Sequence, residues 1–228
     1  MLNGNTLLVG DSMTVGLAPF VTINGGRRTI AEVSRRSDWL VQAIRAVSLA
    51  TTKNLVVLIG ANDIGGTSPE QTIANTLEVW RMGKAAGANV IGQTIPPNKG
   101  WAPFASNFAA IEARRKAVNA GLVKAAAEGK CDLLLDLSSL MADPSDPERL
   151  SKAFDSGDHL HPRKDAHGAL LTRLSLGIPA SPLAPGALAP LPSSSDSTPL
   201  LLMVGVCGLA AYLLTRKRSS RMTRASWA

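Results

Sequence analysis

A chain of 228 residues that is 45% hydrophobic can bury one sizeable core, which excludes a disordered protein and favours one domain with an appendage. Of the formal charge of +7, residues 177–228 carry +4, on Arg216, Lys217, Arg218, Arg221 and Arg224 against Asp196. The remaining +3 is thinly spread and aromatic residues are only 4%, so there is no basic stripe with stacking faces and no nucleic-acid partner is expected. Cys131 and Cys207 have no Cys or His at ligand spacing, which leaves neither a disulfide framework nor a metal site in prospect. The first core strand starts about five residues from Met1, and no export leader is expected ahead of it.

Residues 6–9, Thr-Leu-Leu-Val, read as a buried strand that Gly10-Asp11-Ser12 breaks. A Ser at a strand-to-helix turn lies at the carboxyl edge of a sheet, with its N–H at the positive end of a helix. It can be a nucleophile beside its own oxyanion donor, or simply the helix N-cap. Residues 13–21 would form that helix, interrupted by Pro19, and Asn24-Gly25-Gly26 a turn. A weaker strand is expected at 29–33 and a helix at 39–47, capped by Ser37-Asp38. The unbroken run Leu55-Val56-Val57-Leu58-Ile59 predicts a strand covered on both faces, as in a parallel sheet flanked by helices. It stops at Gly60-Ala61-Asn62-Asp63, and Ser68-Pro69-Glu70 starts a helix reaching residue 86. A strand at 89–95 closed by Pro96-Pro97, an Ala-rich helix at 104–128 and a fifth strand at 131–137 follow. This alternation predicts a three-layer α/β/α sandwich around a central parallel five-stranded sheet, with sites at the carboxyl ends of strands where the strand order reverses.

From Met141 the chain reads as irregular, through Asp158-His159-Leu160-His161-Pro162, until a last helix at 163–176. Six prolines between 177 and 199 predict an extended spacer. Residues 200–215 are uncharged and apolar and precede Arg216-Lys217-Arg218. They predict a single transmembrane segment, short of the roughly 20 residues a bilayer needs and stretched by Thr198 and snorkelling basic side chains. The expected organisation is thus a catalytic domain at 1–176, a linker at 177–199, a membrane segment at 200–215 and a basic tail at 216–228. The positive-inside rule would put the tail in the cytoplasm and the domain outside, yet no export leader is expected, so the side of the membrane, whether of a cell or of a virion, stays open.

Three stretches carry chemistry. In a loop Asp-x-x-His, Asp158 can fold back on the His161 ring and fix its tautomer, so that the other ring nitrogen takes a proton from Ser12. Asn62 offers an amide donor for the oxygen that turns negative in acyl transfer, alongside the Ser12 N–H. Gly10-Asp11-Ser12, Gly60-Ala61-Asn62-Asp63 and Asp158-His159-Leu160-His161-Pro162, in this order across residues 6–176, resemble three of the four blocks of the SGNH (GDSL-type) hydrolase family.

The resemblance implies a flavodoxin-like sandwich and an esterase or acyltransferase mechanism needing neither metal nor cofactor. Its triad would be Ser12, His161 and Asp158. Its oxyanion hole would be formed by the Ser12 N–H, a block-two backbone N–H and the Asn62 amide. Block two departs from the family: Val33-Ser34-Arg35 stands where a Gly is common, which points to the Arg35 N–H, with Gly26 as a substitute. Arg35-Arg36 at the mouth would favour an anionic substrate. His159 and His167 read as surface or packing residues. The substrate expected by analogy is a small acyl ester, such as acetyl, on a polysaccharide or a cell-envelope polymer such as peptidoglycan. O-acyl transfer by the same triad and a non-catalytic surface or virion-associated binding module are the alternatives.

Overall fold

The computed structural model describes residues 4–21 and 25–175; the expected linker, membrane segment and basic tail lie outside the described residues, as does Asn24 of the expected turn. Its centre is built from two strands in which every residue is buried, β1 (Thr6–Gly10) and β3 (Asn54–Leu58). Each full burial of a Leu or Val is worth about 1.5–3 kcal/mol, which fixes these strands at the middle of the sheet. With β2 (Arg27–Ala31), β4 (Asn89–Gln93) and β5 (Leu133–Leu135) they form one parallel sheet in the order β2-β1-β3-β4-β5, Leu8 pairing with Thr29 on one side and Val56 on the other. The chain winds from β1 to the β2 edge, then returns past β1 to the other side. The order therefore reverses between β1 and β3, and their carboxyl ends open a crevice.

Helices cover both faces, as right-handed crossovers require. On one face α2 (Pro69–Ala85) packs between α1 (Ser37–Arg45) and α3 (Phe108–Ala127). Ser68 caps α2, its hydroxyl accepting from the Gln71 N–H at 3.2 Å. Trp80 of α2, 0% exposed, lies against Gly92 of β4, where a Cβ would come within 2.3 Å of the indole. On the other face a short 3₁₀ turn, Ala18–Phe20, meets α5 (Lys164–Ser175). A Cβ on Gly168 would fall 2.3 Å from the Phe20 carbonyl, so glycine sets that approach.

Several boundaries differ from expectation. Residues 13–21 do not form an α-helix: the Thr14 and Val15 N–H groups bond back to the Asp11 carbonyl, and left-handed Gly16 (φ 72°) precedes the 3₁₀ turn. β2 begins two residues earlier than expected because, as an edge strand with Arg27, Arg28 and Thr29 exposed, it carries little apolar pattern. α1 also starts early, since Ser37 is its first residue and not its cap. Residues 102–107 form a 3₁₀ turn ahead of α3, with Pro103 in its first turn, and β5 is only three residues long. After the single turn α4 (Leu137–Leu140), the supposedly irregular stretch holds an antiparallel hairpin of β6 (Ala142–Asp143) and β7 (Asp146–Leu150). The Asp143 carboxylate closes its turn by accepting from the Ser145 N–H at 2.8 Å. Among the described residues no helix is long and apolar enough to cross a membrane.

Candidate active site

The site is assembled at the β1/β3 crevice. At the end of β1 only glycine fits: a Cβ on Gly10 would lie 2.0 Å from the Leu58 carbonyl of β3 and 2.4 Å from Thr14 Oγ1. Asp11 follows, 0% exposed. Its Oδ1 accepts the Met13 N–H at 3.0 Å, and its carbonyl accepts Thr14 N–H at 2.9 Å and Val15 N–H at 3.1 Å. These bonds close a tight turn with Ser12 half-buried at its tip. Burial is the main force on the Asp11 carboxyl and pushes its pKa up to about 6. The Ser12 N–H donates to no protein acceptor among the described residues and is free for a ligand.

The opposite wall is the loop between β7 and α5. Ser156 N–H donates to the His161 carbonyl at 3.1 Å, and Asp155 bridges Pro162. Within it Asp158 Oδ1 accepts the His161 and Leu160 N–H groups at 2.8 and 3.0 Å, and Asp158 Oδ2 lies 2.5 Å from His161 Nδ1. Partial burial would raise the Asp158 pKa, but the bonds from the His161 ring and from these two amides win and hold it at about 2. An ionised Asp158 keeps the proton on Nδ1 and leaves Nε2 as an acceptor, 2.8 Å from Ser12 Oγ. Residues 149 positions apart thus form a chain that can carry a proton from hydroxyl to imidazole.

The third wall comes from β3 and the segment before α1. Gly60, at φ 116°, turns the chain where a side chain would meet Ile95 at 2.9 Å. Asn62 follows, half-buried, and one N–H of its amide donates to the Arg35 carbonyl at 3.0 Å, leaving the other free. Asp63, 0% exposed, accepts the Ser37 N–H at 3.0 Å and its hydroxyl at 2.5 Å, and so staples this loop to the start of α1.

Ser12, His161 and Asp158 are therefore brought together, and Asn62 and Arg35 touch one another in the segments that follow β3 and precede α1. Arg35 stands in place of glycine without strain because the left-handed backbone falls on Ser34 (φ 62°). Its N–H has no protein acceptor among the described residues. Its guanidinium forks onto Glu32 at 2.8 Å and lies 5.4 Å over Trp39, so that within the Arg35-Arg36 pair the Arg35 charge is shared with a carboxylate. Gly26 is ruled out as a donor: its carbonyl accepts the Thr6 N–H at the opposite, amino edge of β1.

One feature escaped the sequence. Lys164 Nζ donates to the Ser12 and Met13 carbonyls at 2.9 and 2.7 Å. His159 is a surface and packing residue as expected, lying against Gly100 with Nδ1 2.5 Å from Asp155 Oδ2. His167 is a packing residue, fully buried with Nε2 2.7 Å from Gln93 Oε1; burial pulls its pKa down to about 3, so it stays neutral.

The profile of the GDSL-like lipase/acylhydrolase family matches residues 8–169, from β1 to α5. The chain belongs to this family. Membership makes it a serine ester hydrolase. Solved structures share its fold. A GDSL-like lipase from Bacteroides thetaiotaomicron superposes with a TM-score of 0.62 at 14% identity, over 76% of this chain and 88% of that one. A lipase/acylhydrolase from Enterococcus faecalis gives 0.56 at 19% identity, over 76% and 95%. A member of the lipolytic G-D-S-L family from Veillonella parvula gives 0.56 at 17%, over 77% and 97%. Among curated proteins none matches the chain significantly by sequence.

Proposed function

We propose that this GDSL-family hydrolase cleaves small acyl esters through an acyl-enzyme on Ser12. The observation that carries the reading is the unbroken chain from Asp158 through His161 to Ser12 Oγ, at 2.5 and 2.8 Å. Ser12 Oγ attacks the ester carbonyl while His161 Nε2 takes its proton, and the ionised Asp158 stabilises the imidazolium. The Ser12 N–H, the Arg35 N–H and the free N–H of Asn62 receive the oxyanion, each such donor being worth about 3 kcal/mol of barrier. His161 returns the proton to the departing alcohol. A water then releases the acid by the same steps, restoring Ser12.

The substrate we propose is an acetyl or similarly short acyl ester on a polysaccharide or cell-envelope polymer such as peptidoglycan, with the enzyme tethered to a membrane by residues 200–215. The apolar run and the proline-rich spacer before it support the tether, and a tether suits a polymeric substrate that cannot diffuse to the enzyme. Hydrolysis of p-nitrophenyl acetate tests the chemistry: the wild type is expected to turn over and Ser12→Ala to lose it. A fully active Ser12→Ala protein refutes the assignment. Recovery of the full chain with membranes, and of a chain ending at residue 176 without them, is the expected outcome for the tether.

A further inference from the structure

We propose that Lys164 is a positioning residue for the nucleophile, gripping the Ser12–Met13 peptide from the side opposite Asp11. The inference rests on Ser12 being the nucleophile. The amide joining Ser12 to Met13 is held at both ends: its N–H donates to Asp11 Oδ1 at 3.0 Å, and its carbonyl accepts from Lys164 Nζ at 2.9 Å. The same ammonium takes the Met13 carbonyl at 2.7 Å. A carboxylate at one end and an ammonium at the other give two charge-assisted bonds along one peptide plane, which fixes its rotation and with it the direction of the Ser12 side chain.

Placement makes the grip useful. Lys164 opens α5 three residues after His161, so the clamp on the nucleophile turn and the base share one short, helix-anchored segment. The separation of Ser12 Oγ from His161 Nε2 is thereby set within one bonded unit, although 149 residues intervene in the chain. A misplacement of about 1 Å at such a contact costs on the order of 10²-fold in rate.

The side chain also occupies an expensive position. Lys164 is partly buried, and burial lowers its pKa. Among the described residues no carboxylate lies within ion-pair distance of it. Its charge is answered by the two carbonyl oxygens and, at longer range, by Asp11 and Asp158. A fold needing only to fill this space would do better with an apolar chain. Asp11 Oδ2 has no hydrogen-bond partner among the described residues, so Asp11 too spends its one bond on the Met13 N–H.

The test compares Lys164→Met, which keeps length and removes both bonds, with Lys164→Arg, which can restore them. Turnover of p-nitrophenyl acetate by the full chain, abolished in Ser12→Ala, establishes the nucleophile independently. Against it, Lys164→Met is expected to lose ten- to hundredfold in kcat with KM within twofold, and Lys164→Arg to recover to within fivefold of wild type. Lys164→Gln, retaining a shorter donor, is expected to fall between them, and it stands in if the Met protein does not fold. A melting profile accompanies each variant. Wild-type kcat in the folded Met or Gln protein overturns the proposal, as does a loss confined to KM or an Arg variant no better than Met.

Discussion

The loop at residues 155–162 contains two Asp–His pairs that look alike and do different things. In each, a carboxylate lies 2.5 Å from Nδ1: Asp158 on His161 and Asp155 on His159. His161 presents Nε2 to Ser12 at 2.8 Å. His159, in a left-handed backbone (φ 65°), lays Cβ, Cγ and Cδ2 against Gly100, and its Nε2 meets no partner among the described residues. A carboxylate behind an imidazole is thus not enough to make a base; what decides is the group on the far nitrogen. The second pair ties the catalytic loop to the segment after β4, and its strained backbone persists because that packing holds it.

The largest expected effect separates the pairs. His161→Ala is expected to lower kcat by about 10⁴- to 10⁶-fold, and His159→Ala by less than tenfold with a drop in melting temperature. Equal losses in the two would break the comparison. Next comes Asp158→Asn, expected to cost about 10²- to 10⁴-fold because an amide no longer enforces the tautomer. Asp158 has a folded-state pKa of about 2, below its ordinary value of 3.8. Its contribution to stability is therefore complete above pH 4 and is lost as pH falls towards 2, so Asp158→Asn should flatten the wild-type melting temperature in that window. Asn62→Ala is expected to cost about 10²-fold in kcat, near 3 kcal/mol, with KM little changed.

The smallest effect concerns Asp11, whose pKa is raised from 3.8 to about 6. A raised folded-state pKa gives stability that is present at pH 4 and lost as pH rises through 6. Asp11→Asn should therefore gain a few degrees in melting temperature over wild type between pH 4 and pH 7. A constant difference between the two proteins would show that Asp11 is not protonated in that range.

How much of this was legible in the sequence follows from the range of the interactions. β1 and β3 announce themselves as apolar runs, and Ser12 and Asn62 mark where the runs end, so the rim could be located from residue patterns alone. Asp158 and His161 are three residues apart, within reach of a local turn. Their meeting with Ser12 follows from the three stretches taken together and from the resemblance they carry, because no spacing alone encodes a contact across 149 residues. The local pattern makes Ser37 a helix cap, but Asp63 claims its hydroxyl from another loop. Pro144 and Pro147 look like breakers, yet they sit in a short hairpin that forms without their N–H groups. Lys164 was invisible because a lysine in the first turn of a helix reads as solvated, and only the fold brings two carbonyls beneath it.

The central claim is that Ser12 is activated by His161 and not by its neighbour His159. Reaction with a fluorophosphonate, followed by peptide mass spectrometry, measures this directly: the account predicts label on Ser12 in the wild type and in His159→Ala at similar rates, and almost none in His161→Ala. Label on another residue, or equal labelling of Ser12 with and without His161, would contradict it.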